Sequence, residues 1–198
     1  MNQRARLFAI IIALAAWAGL AAQFVLTLED YPTIGAALWR LARYFTILTN
    51  LMVAVSYTVM ALGGRRLSPG WLAGLTLWIA IVAVIYHALL ANYDKAGLDF
   101  VADHLVHSVV PLLAVLWWVI YAPQRRLPWR VAAYWLVWPL GYLGYVLVRG
   151  AFEGIYPYFF LDVGRFGAAQ IALNVAGLGL AFWLAGLGMI ALARRRAR

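Results

Sequence analysis

The sequence predicts an all-α fold: a polytopic membrane protein built as a bundle of six transmembrane helices, with both termini on the cytoplasmic side. Composition, the length of the apolar runs and the placement of charge predict it. Of the 198 residues, 66% are hydrophobic and only 12% are charged. Soluble domains carry about 45–50% apolar and about 25% charged residues. A chain this apolar cannot hide its side chains in a water-soluble core of its own size, so lipid must solvate them. Six runs reach the roughly 17–25 residues that cross the hydrocarbon of a bilayer. They are too long and continuous for barrel strands. Lipid offers the backbone no hydrogen bonds and so admits only helices or closed barrels. One transmembrane domain over residues 1–198 is the natural count at this length.

The first run covers residues 7–28 and follows Arg4 and Arg6. Its basic start and Ala16-Trp17-Ala18 would suit a cleaved leader, but the run exceeds the roughly 7–15 apolar residues usual there, so it reads as a span. The second run, 44–62, lies between Pro32 and Gly63-Gly64, and the third, 71–91, opens after Ser68-Pro69-Gly70. Gly97 and Pro123 bracket the fourth, 101–121. Pro128 precedes the fifth, 131–148, and Pro157 the sixth, 166–193. Trp71, Trp117, Trp118 and Trp129 stand near span ends, where indole rings anchor at the membrane interface. Small residues in the first and last spans, among them Ala15, Ala18, Gly177, Gly179, Gly186 and Gly188, suit close helix packing.

Charge then orients the chain. Arg4, Arg6, Arg65, Arg66, Arg125, Arg126, Arg130, Arg194, Arg195, Arg196 and Arg198 fall in alternate segments: eleven of sixteen basic residues, with no acid among them. The opposite segments hold Arg40, Arg43, Lys95, Arg149 and Arg165. They also hold all seven acids, Glu29, Asp30, Asp94, Asp99, Asp103, Glu153 and Asp162. The positive side faces the cytoplasm. Both ends therefore lie inside, which requires an even number of spans.

Composition also excludes functions. No cysteine is present, so disulfides, iron–sulfur clusters and thiol chemistry are out. A net charge of +9 would suggest nucleic acid in a soluble protein. Here the basic residues sit between apolar runs, so their partner is the membrane surface and no nucleic acid is expected.

Function should lie where costly polar groups are kept inside apolar spans. The third, fifth and sixth spans offer few; the second and fourth offer clusters toward the outer side. Arg43, Thr46 and Asn50 are spaced three and four apart and share one helix face. Two readings of Thr46 are open: a hydroxyl bonded back to the carbonyl of Ala42, or a functional hydroxyl. The amide of Asn50 needs a partner inside the bundle. In the fourth span Asp103 and His107 are four apart, and His104 stands three before His107 and four before Ser108. A carboxylate one turn from an imidazole fixes its tautomer and raises its basicity. His104, nearer the interface, reads equally as a helix-end cap. Pro111 cannot donate to the carbonyl of His107, so a kink and a free carbonyl are expected there. His87, near the outer end of the third span, reaches a similar depth to Thr46, His104 and His107.

At these residues the chain resembles the androgen-induced and androgen-dependent six-helix membrane proteins, which hydrolyse fatty acid esters of hydroxy fatty acids, and their bacterial relatives. Arg43-Tyr44-Phe45-Thr46, then His104-Leu105-Val106-His107-Ser108-Val109-Val110-Pro111, carry the resemblance, with Tyr156-Pro157 a weaker third match. Their order and the six-helix topology cover nearly the whole chain. The resemblance implies a threonine nucleophile at Thr46, a histidine partner at His107, a fatty acyl ester substrate from the membrane, no cofactor, and a bacterial cytoplasmic membrane. The chain departs from the animal members at Thr49-Asn50, where those carry an acid, and its loops are shorter.

The chemistry is coherent on its own terms. His107 could take the proton of Thr46 and return it to the leaving alkoxide. Asp103, near water, would orient the ring. Asn50, His104 or Arg43 could stabilise the oxyanion. Other classes compete: a haem protein with His87 and His107 as axial ligands, a zinc hydrolase using His87, His104 and His107, or a non-enzymatic transporter or scaffold, which should show broken helices near the midplane.

Overall fold

A computed structural model describes residues 1–123 and 125–197. Arg198, counted above with the C-terminal arginines, lies outside the described residues. Among these residues every regular element is helical and no strand occurs. Six helices are long and apolar enough to cross a membrane: Gln3–Asp30, Phe45–Gly63, Pro69–Leu90, Gly97–Tyr121, Val131–Glu153 and Val163–Arg196. The protein is therefore an all-α, multi-pass membrane protein.

Local chemistry sets the ends. Asn2 caps the first span through Ala5 N at 2.9 Å, Ser68 the third through Trp71 N at 3.2 Å, and Asp162 the sixth through Arg165 N at 3.1 Å. Such side chains satisfy donors that the helix leaves open. Gly64 and Gly154 end the second and fifth spans in the left-handed conformation, which glycine adopts without strain.

Three expectations change. The connection between the first and second spans carries its own helix, Ile34–Leu41, capped by Thr33 and exposing Ile34, Leu38 and Trp39. The fifth span continues past residue 148 to Glu153. Arg149 and Glu153 sit four apart on one helix face and pair at 2.8 Å, so the added turn satisfies its own charges. Trp117 and Trp118 are not interface anchors. Trp117 is 0% exposed and donates to the Ala5 carbonyl at 2.9 Å, giving its indole N–H a partner inside the bundle.

The chain falls into two compact units, divided after Pro123. In the first, four spans pack in a square: the first against the second and fourth, the third against those same two. Gly19 lets the first span approach the fourth closely. A Cβ there would lie 2.9 Å from Val106 Cγ1 and 3.0 Å from Leu105 Cβ. In the second unit, residues 131–134 pack against the sixth span. The ring of Tyr156 lies on Gly150, where a Cβ would overlap it.

Candidate active site

Two spans of the first unit widen into π turns: the third at Tyr86–Leu90 and the fourth at Leu105–Val109. π turns are rare and appear often at functional sites. The sequence explains the second. Val110 N–H bonds the carbonyl of Leu105, five residues back, instead of that of Val106. Pro111 has no N–H to offer. The carbonyl of Val106 is thereby released, and a side chain takes it: Asn50 Nδ2 donates to Val106 O at 3.1 Å. The expected kink at His107 is thus a widened turn, and its free carbonyl is one residue earlier.

Asn50 also donates to Thr46 O at 2.9 Å. One amide therefore ties the turn of Thr46 to the turn of His107. Both of its hydrogens point at carbonyls, which fixes its orientation and removes it as an oxyanion donor. Arg43, buried one turn before Thr46, and His104 remain from that set. Asn50 is 0% exposed, and its Oδ1 has no hydrogen-bond partner among the described residues.

Asp103 is the hub. It is 2% exposed, which corrects the expectation that it lies near water. The phenol of Tyr86 and the ammonium of Lys95 cover it. Tyr86 OH donates to Oδ2 at 2.5 Å and Lys95 Nζ to Oδ1 at 2.7 Å. His107 Nδ1 lies 3.2 Å from Asp103 Oδ1 and 3.1 Å from the Asp103 carbonyl. Both neighbours are acceptors, so Nδ1 carries a proton, and in the neutral ring Nε2 keeps its lone pair. The ring of Tyr86 stacks on that of His107, with centroids 3.7 Å apart and planes 9° from parallel. Lys95 Nζ also reaches Asp99 at 3.5 Å.

Thr46 stands in the first turn of the second span, half-buried. Thr27, Thr58 and Thr76 each donate to the carbonyl four residues back, at 2.7, 2.7 and 2.8 Å. Thr46 does not. Among the described residues its hydroxyl makes no hydrogen bond, to Ala42 or to His107. Its backbone, but not its side chain, is joined to the histidine turn.

The other histidines are engaged separately. His104 Nδ1 donates to Phe100 O at 2.9 Å and its ring lies on Phe100, as a helix-end cap would. His87 is exposed; its Nε2 is 3.0 Å from Ser108 Oγ and its Nδ1 3.4 Å from Tyr93 OH. Among the described residues no three His, Cys, Asp or Glu side chains could share a metal ion, so His87, His104 and His107 do not form a zinc set. His87 and His107 likewise have separate hydrogen-bond partners, Ser108 and Tyr93 for the first and Asp103 for the second.

Tyr86 and Lys95 were missed in the sequence. Tyr86 looks like one more span aromatic. Lys95 carried a signal, being the one lysine in a chain with fifteen arginines.

No family model, no curated protein and no solved structure matches this chain.

Proposed function

We propose that this protein is an integral membrane hydrolase of fatty acyl esters, with Thr46 as nucleophile and His107 as base. It would belong with the androgen-induced six-helix proteins that its motifs resemble, in a bacterial cytoplasmic membrane with both termini inside. The observation that supports it most is the buried Asp103–His107 pair, whose tautomer leaves Nε2 as a base and whose turn is tied by Asn50 to the turn of Thr46.

In this reading Thr46 Oγ attacks the ester carbonyl carbon while His107 Nε2 takes the hydroxyl proton. Asp103 stabilises the imidazolium through Nδ1–H. The tetrahedral intermediate collapses, His107 gives the proton to the leaving alkoxide, and an alcohol departs from acyl-Thr46. Water, deprotonated by His107, then attacks the acyl carbon; the bond to Thr46 Oγ breaks, Oγ takes the proton back from His107 and the carboxylic acid leaves. Oγ must first turn toward Nε2. Catalytic hydrogen bonds often form only with substrate bound. The apolar spans suit a long acyl chain.

Turnover of a long-chain ester by the purified protein tests this. Thr46→Ala and His107→Ala should each lower kcat by about 10³-fold or more, and the double variant should be little worse, because the two act as a unit. Thr46→Ser should keep part of the rate. Wild-type turnover by Thr46→Ala would refute the nucleophile. Orientation is tested by single cysteines labelled from outside intact cells. Positions 94 and 153 should react, and labelling at 65 or 125 instead would reverse the topology.

A second reading has its own observation. Ser108 already lies 3.0 Å from His87 Nε2, so serine could be the nucleophile on the same turn. Ser108→Ala separates the two: it should change turnover less than threefold if Thr46 acts, and abolish it if Ser108 does.

A further inference from the structure

The second unit treats its cations differently at its two ends. At one end Arg149 is compensated internally, with Glu153 at 2.8 Å and the phenol of Tyr145 at 2.8 Å. At the other end six arginines gather from two segments: Arg125, Arg126 and Arg130 before the fifth span, and Arg194, Arg195 and Arg196 at the end of the sixth. The two segments are fastened together. Arg194 Nη1 donates to the Leu127 carbonyl at 3.0 Å, and its guanidinium lies over the ring of Trp129, 5.3 Å from the centroid. Trp129 is about half exposed.

No acid stands near in sequence to offset this charge, since none occurs between Asp103 and Glu153 or after Asp162. Arg125, Arg126, Arg130 and Arg195 form no ion pair among the described residues, and all four are exposed. Their charge is therefore left to anions other than the described side chains. The patch sits at the ends of two membrane spans, where the dense external anion is lipid phosphate. Guanidinium forks match phosphate oxygens in pairs. An exposed indole beside them suits the headgroup level.

We propose that this patch is a binding site for anionic phospholipid, with Arg125, Arg126, Arg130 and Arg195 on the headgroup phosphates. Trp129 fixes the depth, and Arg194 holds the two segments together. The site is independent of ester hydrolysis and would stand if that reading failed.

The test uses the full-length protein, delipidated in neutral detergent and titrated with phosphatidylglycerol or phosphatidylcholine while bound lipid is counted by native mass spectrometry. Phosphatidylglycerol should bind at least ten times more tightly. Each exposed arginine replaced by glutamine should weaken it by about 5-fold, since a basic residue near an anionic surface contributes on the order of a factor of that size. Arg125→Gln/Arg126→Gln/Arg195→Gln should bring the two lipids to parity. The corresponding lysine variant should keep the preference, which controls for folding. Inorganic phosphate at millimolar concentration should not displace the lipid. Equal binding of both lipids by the wild type, a preference that survives the triple glutamine variant, or displacement by free phosphate would each overturn the proposal.

Discussion

His107 and His87 sit on facing π turns, and each has a hydroxyl on a neighbouring turn, yet the two arrangements are opposite. His107 is half-buried, backed by a buried carboxylate and stacked on Tyr86, while the hydroxyl of Thr46 makes no hydrogen bond among the described residues. His87 is exposed and already meets Ser108, and among the described residues its other ring nitrogen faces the Tyr93 hydroxyl rather than a carboxylate. One pair has an imidazole oriented by a carboxylate and a hydroxyl without a partner among the described residues; the other has a hydroxyl already held by its imidazole. A hydrogen bond between hydroxyl and imidazole is easily formed at a surface. A carboxylate kept inside the bundle, with three donors around it, is costly to keep there. That cost is why the proposed chemistry is placed on the His107 side.

Removing the carboxylate is the strongest way to break that comparison. Asp103→Asn should lower kcat by about 10²–10⁴-fold, because an amide no longer holds Nδ1–H and favours the wrong tautomer. KM should change little. Tyr86→Phe keeps the stacked ring and loses one hydrogen bond to a charged group, so its effect should be nearer tenfold. If kinetics of the two variants were indistinguishable from wild type, the buried hub would be structural only.

Asn50 sharpens the comparison differently, because it belongs to packing as well as to the site. Asn50→Leu strands the Val106 carbonyl, which the π turn and Pro111 have released. That should lower stability by about 1–3 kcal/mol, read as a drop in melting temperature in a lipid environment, along with a loss of activity. Unchanged melting would mean that the Val106 carbonyl is satisfied without Asn50.

The six spans were legible in the sequence because lipid imposes one length and one secondary structure on every crossing. The Asp103–His107 pair was legible for a similar reason: four residues apart on a helix is a contact whatever surrounds it. What escaped depended on neighbours far along the chain. The burial of Asp103 comes from Tyr86 and Lys95, and no local rule links them to it. The π turn at Leu105–Val109 depends on Pro111, a local signal, and on Asn50 from another span, whose partner no local rule gives. Trp117 and Trp118 were misplaced because position near a span end says nothing about which way an indole faces. Arg149 was assigned to a loop because a charge near a span end resembles a boundary until its acid partner, four residues on, is counted.

Thr46 is the proposed nucleophile. An active-site-directed fluorophosphonate, followed by peptide mass spectrometry, tests it most directly. The adduct should form on Thr46 in the wild type and disappear in His107→Ala, with Ser108 unmodified. An adduct on Ser108 that survives Thr46→Ala and is lost in His87→Ala would contradict the account and transfer the chemistry to the His87–Ser108 pair.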